Sequence, residues 1–307
     1  MITVEEKLEK RTVLKNKIDF VALVNVTNAN PNGDPLNGNR PRTDYENYGE
    51  MSDVCIKRKL RNRLQDLGYK ILVVSDERCN DGFTCIKDRA DDALGKPGKG
   101  AAAEKEFREK ACEVFFDVRA FGQVFAYPKD NKNKGKSGDS EDGNGVSIGI
   151  RGPVSINIAK SVAPVEIESM QITKSTVTDD KADNARAETM GMKHFVQHGL
   201  YVIKGSISPQ LAQLTGFTEE DADVLKECLR TLFVNDASAA RPDGSMEVKT
   251  VYWWKHNCKE GQYSAAQVHS SVVPTVKNPD ENPKSFGDYE LLYTKLDGLE
   301  PEVIQGI

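Results

Sequence analysis

The chain has 307 residues, 38% of them hydrophobic and 29% charged, and a formal net charge of -5. That length suits one large domain or two ordinary ones with a core that needs no staple, and no apolar run approaches the roughly 18 residues of a membrane span, which excludes an integral helical membrane protein. The acidic balance argues at first sight against a nucleic-acid binder, but an average does not say where charge sits.

Residues 1–17 are charged throughout, lack the apolar core of a signal peptide, and read as a short leading helix or frayed arm. Cysteines at 55, 79, 85, 112, 228 and 258 form no CxxC, the pattern of reduced thiols in a cytoplasmic protein. Lys17 to Val26 is β-branched and aliphatic and predicts a buried strand. Thr27 to Arg42 is so dense in Asn, Gly and Pro that it predicts a long ordered loop without regular structure. Ser52 or Asp53 caps the next helix, Asp53 to about Asp66, with Ile56, Leu60, Leu64 and Leu67 on one stripe. Tyr69 to Val74 predicts a short strand. The polar stretch 75–112, helical from Ala101, reads as an insertion on the side of the fold.

Phe121 to Tyr127 predicts a strand, and the low-complexity stretch 128–145 a mobile loop. After Arg151-Gly152-Pro153, Val154 to Ala159 alternates like a half-buried strand. Residues 165–195 are polar and predict a protruding hairpin or loop. Leu200 to Ile207 reads as a strand and Thr218 to Phe233 as a capped amphipathic helix burying Ala222, Leu225, Leu229 and Leu232. Glu247 to Trp254 is a last strand. Without the insertions the order is βαββαβ, an α+β, ferredoxin-like unit in a single domain over 1–307.

The chemistry concentrates in the first helix, where Lys57, Arg58, Lys59, Arg61 and Arg63 crowd beside the apolar stripe. A solvated charged face is the plain reading. No acid stands four residues after any of these bases to pair with it, so a polyanion such as a phosphate backbone is the competing one, with Arg40 and Arg42 close by in sequence. Asn28, Asn30 and Asn32 mimic the first ligand spacing of a calcium loop, but Asn39 stands where a bidentate Glu is needed, so the amides serve phosphates or a tight turn. His194 and His198 have no Cys near them and predict no metal site. Asp34 and the group Asp179, Asp180 and Asp183 are the candidates for metal-dependent cleavage; the latter sit in a segment without apolar anchoring. Tyr252, Trp253 and Trp254 offer aromatic rings, but adjacent strand residues face opposite ways, so RNA would be held by its backbone rather than by stacking on the sheet.

Several segments together resemble one family. Asn28-Ala29-Asn30-Pro31-Asn32-Gly33-Asp34-Pro35, Asn39-Arg40-Pro41-Arg42 and Ser52 through Asn62 are similar to the backbone subunit of CRISPR Cascade complexes, of the RAMP superfamily. The similarity is strongest to the type I-C branch, with type I-B as neighbour. Asp117 to Gly122, Arg151 to Ile156, Ile172 to Ser175 and Thr189 to His194 agree, so the resemblance covers nearly the whole chain.

The resemblance implies an RRM-like palm, a helical finger-like insertion at 75–112 and a thumb-like hairpin at 165–195. It implies a non-catalytic subunit without cofactor that polymerises as a helical filament along CRISPR RNA, with each thumb displacing a base. Its partners would be the guide RNA, copies of itself, other Cascade subunits and, through the guide, target DNA. Residue by residue, it assigns guide contacts to Arg40, Arg42, Lys57, Arg58, Arg61, Arg151 and Lys174, and thumb positions to Met170, Gln171, Thr173, Thr176 and Met190. The alternative on the same fold is a metal-dependent ribonuclease cutting target RNA.

Overall fold

Phe20, Ala22, Val24 and Val26 alternate with Val21 and Leu23 along β1 (Ile18–Ala29), and all of them are buried, so this strand needs a neighbour on each edge and cover on each face. It has both in the computed structural model, which describes residues 12–98, 100–127, 146–173 and 190–307. The loop after β1 carries β2 (Gly33–Asp34), β3 (Arg40–Pro41) and β4 (Tyr48–Met51), and α1 spans Asp53–Asp66. Then come α2 (Ile86–Leu94), α3 (Ala101–Val114), α4 (Phe116–Phe121), β5 (Gly122–Tyr127), β6 (Val146–Arg151), β7 (Val154–Ile156), β8 (Ala159–Pro164), β9 (Ile167–Thr173) and β10 (Met190–Ile207). The C-terminal part holds α5 (Pro209–Thr215), α6 (Glu219–Arg230), β11 (Met246–Lys255), α7 (Ala265–Ser270), β12 (Val272–Val276), β13 (Tyr289–Tyr293) and β14 (Glu302–Gln305).

The main sheet has eight strands in the order β14–β11–β1–β10–β8–β4, with β7 and β9 also paired to β10. β10 runs antiparallel to β1 from Ile18 opposite Ile207 to Ala29 opposite Val196. On one face Ile56, Leu60 and Leu64 of α1 and Ala222, Leu225 and Leu229 of α6 pack on Phe20, Tyr201, Ile203 and Trp253. On the other, Val268 of α7, Val272, Tyr289 and Leu299 cover Val21, Leu23, Leu200, Tyr252 and Trp254. The two helices form as their sequences dictate: Ser52 accepts the Cys55 N–H, and Thr218 and Asp221 make a reciprocal capping box.

A buried ion network ties the C-terminal cover to β1. Asp19 is fully buried and accepts hydrogen bonds from His256 Nε2 (2.8 Å) and Ser206 Oγ (2.5 Å), with Lys17 at 2.8 Å. The Gln262 N–H donates to His256 Nδ1, which leaves Nε2 carrying the proton toward Asp19. Burial alone would raise the Asp19 carboxyl, but the hydrogen bonds from His256, Lys17 and Ser206 outweigh it and hold it below its ordinary range.

A separate apolar cluster forms between α2, α3, β5 and β6, where Phe107 meets Phe125 edge to face at 5.2 Å. Three expectations change here. Tyr69 to Val74 is not a strand: the Leu72 and Val73 N–H groups donate to the Asp117 carboxylate and Val73 O accepts from Arg58, so side chains satisfy what a neighbouring strand would. The Asn-rich loop holds a small β2–β3 pairing and a 3-10 turn at Pro35–Asn37, because Asn28 and Asn39 adopt left-handed φ values of 52° and 56° that bend the chain back. The hairpin β12–β13 and strand β14 go beyond the last predicted strand. The segment 128–145 and most of 1–17 lie outside the described residues.

Gly122 and Gly152 stand back to back where β5–β6 leaves the palm. A Cβ on Gly152 would overlap the Ala120 carbonyl oxygen, and one on Gly122, whose φ is +80°, would overlap that of Ile150. Gly152→Ala should therefore lose roughly 1–3 kcal/mol in urea unfolding, while Gly149→Ala, with open space around it, should shift the midpoint far less. The Asp19 network adds a pH signature. A carboxyl held below its ordinary 3.8 contributes stability in full above that value and loses it as pH falls through the folded one. Asp19→Asn should lower the urea midpoint near neutrality and flatten the wild-type loss of stability on acidification; an unchanged acid limb would contradict the assignment.

Candidate nucleic-acid interface

The bases of α1 do not form the unpaired arc that the sequence suggests. Lys57 and Arg63 find acids within one turn, at Asp53 and Asp66, while Arg61 and Lys59 find theirs far along the chain, at Asp117 and Asp236, which local spacing cannot reveal. Arg61 Nε donates to Asp117 Oδ2 at 3.0 Å and its guanidinium lies 5.1 Å from the centre of the Phe121 ring. Arg58 Nη1 donates to Val73 O at 2.6 Å. Burial, and then the neighbouring Arg61 charge, push Arg58 down from its ordinary value. On the opposite flank Lys59 is buried in an ion pair with Asp236, and Arg63 Nε donates to Thr231 Oγ1 at 2.8 Å. Burial lowers the Lys59 ammonium more than the Asp236 charge raises it. Lys57 pairs one turn back with Asp53 at 3.0 Å.

Beside this flank lies a cleft of about 400 Å³ that gathers Lys17, Lys57, Arg151 and Lys259, with Glu260 at its rim. Lys17 is turned partly to Asp19, and Lys259 donates to Gln213 Oε1 at 2.9 Å. Arg151 is exposed and has no ion-pair partner among the described residues. It sits opposite Gly122 in the β5–β6 ladder, next to the Phe121 ring under Arg61. Lys17, Lys57, Arg151 and Lys259 line the cleft, and Arg58 and Arg61 stand outside it. Lys17 and Lys259 carry no sequence signal: they meet because Lys17 N donates to Cys258 O and His256 N to Lys17 O at the ends of β1 and β11. Such a cleft can hold an anion by charge and N–H donors.

Arg40 and Arg42 lie in a second group, at the root of the β9–β10 hairpin. Arg40 Nη1 donates to Ser169 Oγ at 2.8 Å and lies 3.3 Å from His194 Nδ1; Arg42 pairs with Asp34 at 3.2 Å. Asp34 Oδ1 also accepts the Leu36 N–H, so its carboxylate is spent within the loop. Loop amides are spent likewise: Asn30 Nδ2 donates to Asn39 O at 2.6 Å, and Ser52 N donates to Asn32 Oδ1 at 2.9 Å. Of the two readings left open for these asparagines, the tight turn is the one the geometry uses.

On the hairpin, Thr173 stands opposite Met190, Gln171 opposite Met192, and Met170 opposite Lys193. Met170 and Met190 thus project from opposite faces, both about half exposed (47% and 60%), and Ile172 and Met192 are exposed with them. Gln171 Nε2 lies 3.0 Å from Met190 Sδ. Lys174, Thr176, Asp179, Asp180 and Asp183 lie outside the described residues. Tyr252, Trp253 and Trp254 are all buried, so the sheet presents no stacking platform through them. Among the described residues no group of three His, Cys, Asp or Glu side chains is placed to hold a metal, and no helix is long and apolar enough to cross a membrane.

Comparison with known proteins adds the family. Two chains from solved structures titled as CRISPR RNA-guided surveillance complexes, one of them pre-nicking, superpose with TM-scores of 0.45 and 0.42 at 14% identity, covering 87% of this chain and 84% and 77% of theirs. A curated protein of Haloferax volcanii, described as CRISPR-associated protein Cas7, is 28% identical over 224 residues, 71% of this chain and 64% of its own length. The match thus spans just under two thirds of that relative. A family model, CRISPR-associated protein Cas7, matches residues 16–294, a span that takes in α1, the β9–β10 hairpin and all four cations of the cleft. The chain belongs to the CRISPR-associated Cas7 family.

Proposed function

We propose that this chain is a non-catalytic backbone subunit that binds CRISPR guide RNA and polymerises along it in a type I Cascade surveillance complex of the type I-C branch, with type I-B as neighbour. One observation carries the reading: the cleft of Lys17, Lys57, Arg151 and Lys259, with Arg151 unpaired among the described residues, beside a sheet whose two faces are already covered. A site of this kind takes phosphates rather than bases, which suits a guide of any sequence. Lys57 and Arg151 are the primary contacts, with Arg40 and Arg42 assisting from the loop. Arg58 and Arg61 serve first as braces, because one donor of each is engaged, by Val73 O and by Asp117.

The order β1–α1–β8–β10–α6–β11 supports a ferredoxin-like, RRM-like palm over 1–307. The finger is 75–112 and the thumb 165–195, with Met170, Gln171, Thr173 and Met190 against the guide. Its partners are the guide RNA, further copies of itself, other Cascade subunits and, through the guide, target DNA, in the cytoplasm. The engaged carboxylate of Asp34 favours this scaffold over a metal-dependent ribonuclease.

Co-expression with repeat–spacer transcripts of several lengths, followed by native mass measurement, tests the reading. Copies per RNA should step up with spacer length; a chain that stays monomeric and RNA-free overturns it. Arg151→Ala and Lys57→Ala should each weaken binding to any RNA sequence and reduce the slope of log affinity against log salt by about 0.7. Arg61→Ala should act chiefly on stability, losing about 3–5 kcal/mol in urea unfolding because it leaves Asp117 buried without its cation.

A further inference from the structure

A cavity of about 1050 Å³ opens at the end of β1 away from the basic cleft, at the root of the β9–β10 hairpin. Thr27 and His198 line it from the sheet, Glu166 and Glu168 from around the start of β9, and Glu281 and Asp288 from the chain between β12 and β13. None of these four carboxylates has an ion-pair partner among the described residues. Three of them are oriented by neutral donors instead. Glu166 accepts from Asn282 Nδ2 at 2.5 Å, Glu168 from Gln197 Nε2 at 3.3 Å, and Asp288 Oδ2 from the Lys284 and Ser285 N–H groups. Those N–H groups hold the Asp288 carboxyl below its ordinary range, so it is charged at neutral pH. Lys277 and Lys284 also border the cavity, but Lys277 gives its ammonium to Gly287 O, and four acids against two lysines leave the lining negative.

His198 supplies a second, independent observation. It is only 8% exposed, its Nδ1 lies 3.4 Å from Thr27 Oγ1, and its Nε2 has no hydrogen-bond partner. Burial holds the imidazole below its ordinary value, which keeps it neutral near pH 7. In the tautomer that donates Nδ1–H to Thr27, Nε2 is one more acceptor on a wall of acceptors. A buried acceptor without a donor is unfavourable, and a ligand that brings positively charged N–H groups relieves it.

We propose that the cavity binds a linear aliphatic polyamine, at a site separate from the basic cleft and independent of the guide-RNA reading. The lining selects this class of cation. Its carboxylates stand on separate segments, and among the described residues no three His, Cys, Asp or Glu side chains converge as a metal ion requires. A polyamine spreads its ammonium groups along a flexible chain, so each can meet a different carboxylate while one donates to His198 Nε2. Pro164, Val276 and Pro283 offer its methylenes an apolar wall. A basic peptide fits less well, because each of its amides brings a carbonyl that needs a donor. The Lys284 and Ser285 N–H groups, Asn282 Nδ2 and the Lys277 ammonium are already engaged.

The test is calorimetric titration of the RNA-free full chain with spermidine at low salt, beside magnesium chloride at matched ionic strength and the peptide trilysine. Wild type should bind one spermidine per chain saturably, and more tightly than it binds magnesium or trilysine. The double variant Glu168→Gln with Glu281→Gln, at two exposed positions, should bind spermidine about three- to tenfold more weakly, as expected for two exposed charge contacts. Should that pair fail to fold, Glu281→Gln alone carries the test, with weaker binding than wild type expected. No saturable spermidine binding overturns the proposal, as does equal binding by a folded variant. Magnesium bound as tightly as spermidine overturns it in favour of a simple cation site, and trilysine bound more tightly overturns it in favour of a basic peptide. Because no RNA is present, none of these results bears on the guide-RNA reading.

Discussion

Both faces of β1 are covered by protein, and that burial governs where anything else can bind. The helix layer claims Phe20, Ala22 and Val24, and the C-terminal cover claims Val21 and Leu23. A sheet open on one face could offer aromatic side chains to bases; here Tyr252 and Trp254 stack on each other 6.0 Å apart beneath α7 and β12–β13. Polar chemistry is left to the strand ends, the helix flank and the loops. The proposed RNA contacts lie at one end of that strand for that reason.

Asp117 shows how the fold divides its cations between structure and ligand. It is buried, and its oxygens take the Leu72 and Val73 N–H groups together with Arg61. That one carboxylate holds the segment after α1 against α4, and it removes Arg61 from the set of free charges. Asp236 does the same for Lys59 on the other flank. Arg151, at the root of β5–β6 and positioned by the close crossing of Gly122 and Gly152, stays without an acid partner among the described residues. A dense run of positive charge is thus a poor guide to a binding surface until its partners are known.

The Asn- and Gly-rich segment has a mechanical explanation. Asn28 and Asn39 take left-handed backbone, Asn30 and Asn32 latch the loop to itself and to the cap of α1, and Asp34 closes the turn at Leu36. Its rigidity sets Arg40 against Ser169 at the base of the β9–β10 hairpin. Loop and hairpin are therefore one mechanical unit.

The sequence by itself determined the elements that local rules govern. The alternating apolar run of β1, the Ser52 and Thr218 caps and the stripes of α1 and α6 each depend on residues within a few positions of one another. The motifs of the Cas7 family were also legible, because they are contiguous. Tertiary structure alone decided which cations are free, since Asp117 and Asp236 stand 56 and 177 residues from the bases they neutralise. It also decided that Leu72 and Val73 pair with a side chain rather than a strand, and that Lys17 and Lys259 share a cleft. The net charge of -5 fits the same division. The sum is fixed by composition, but a basic cleft at one end of β1 exists only once the fold has gathered its four cations.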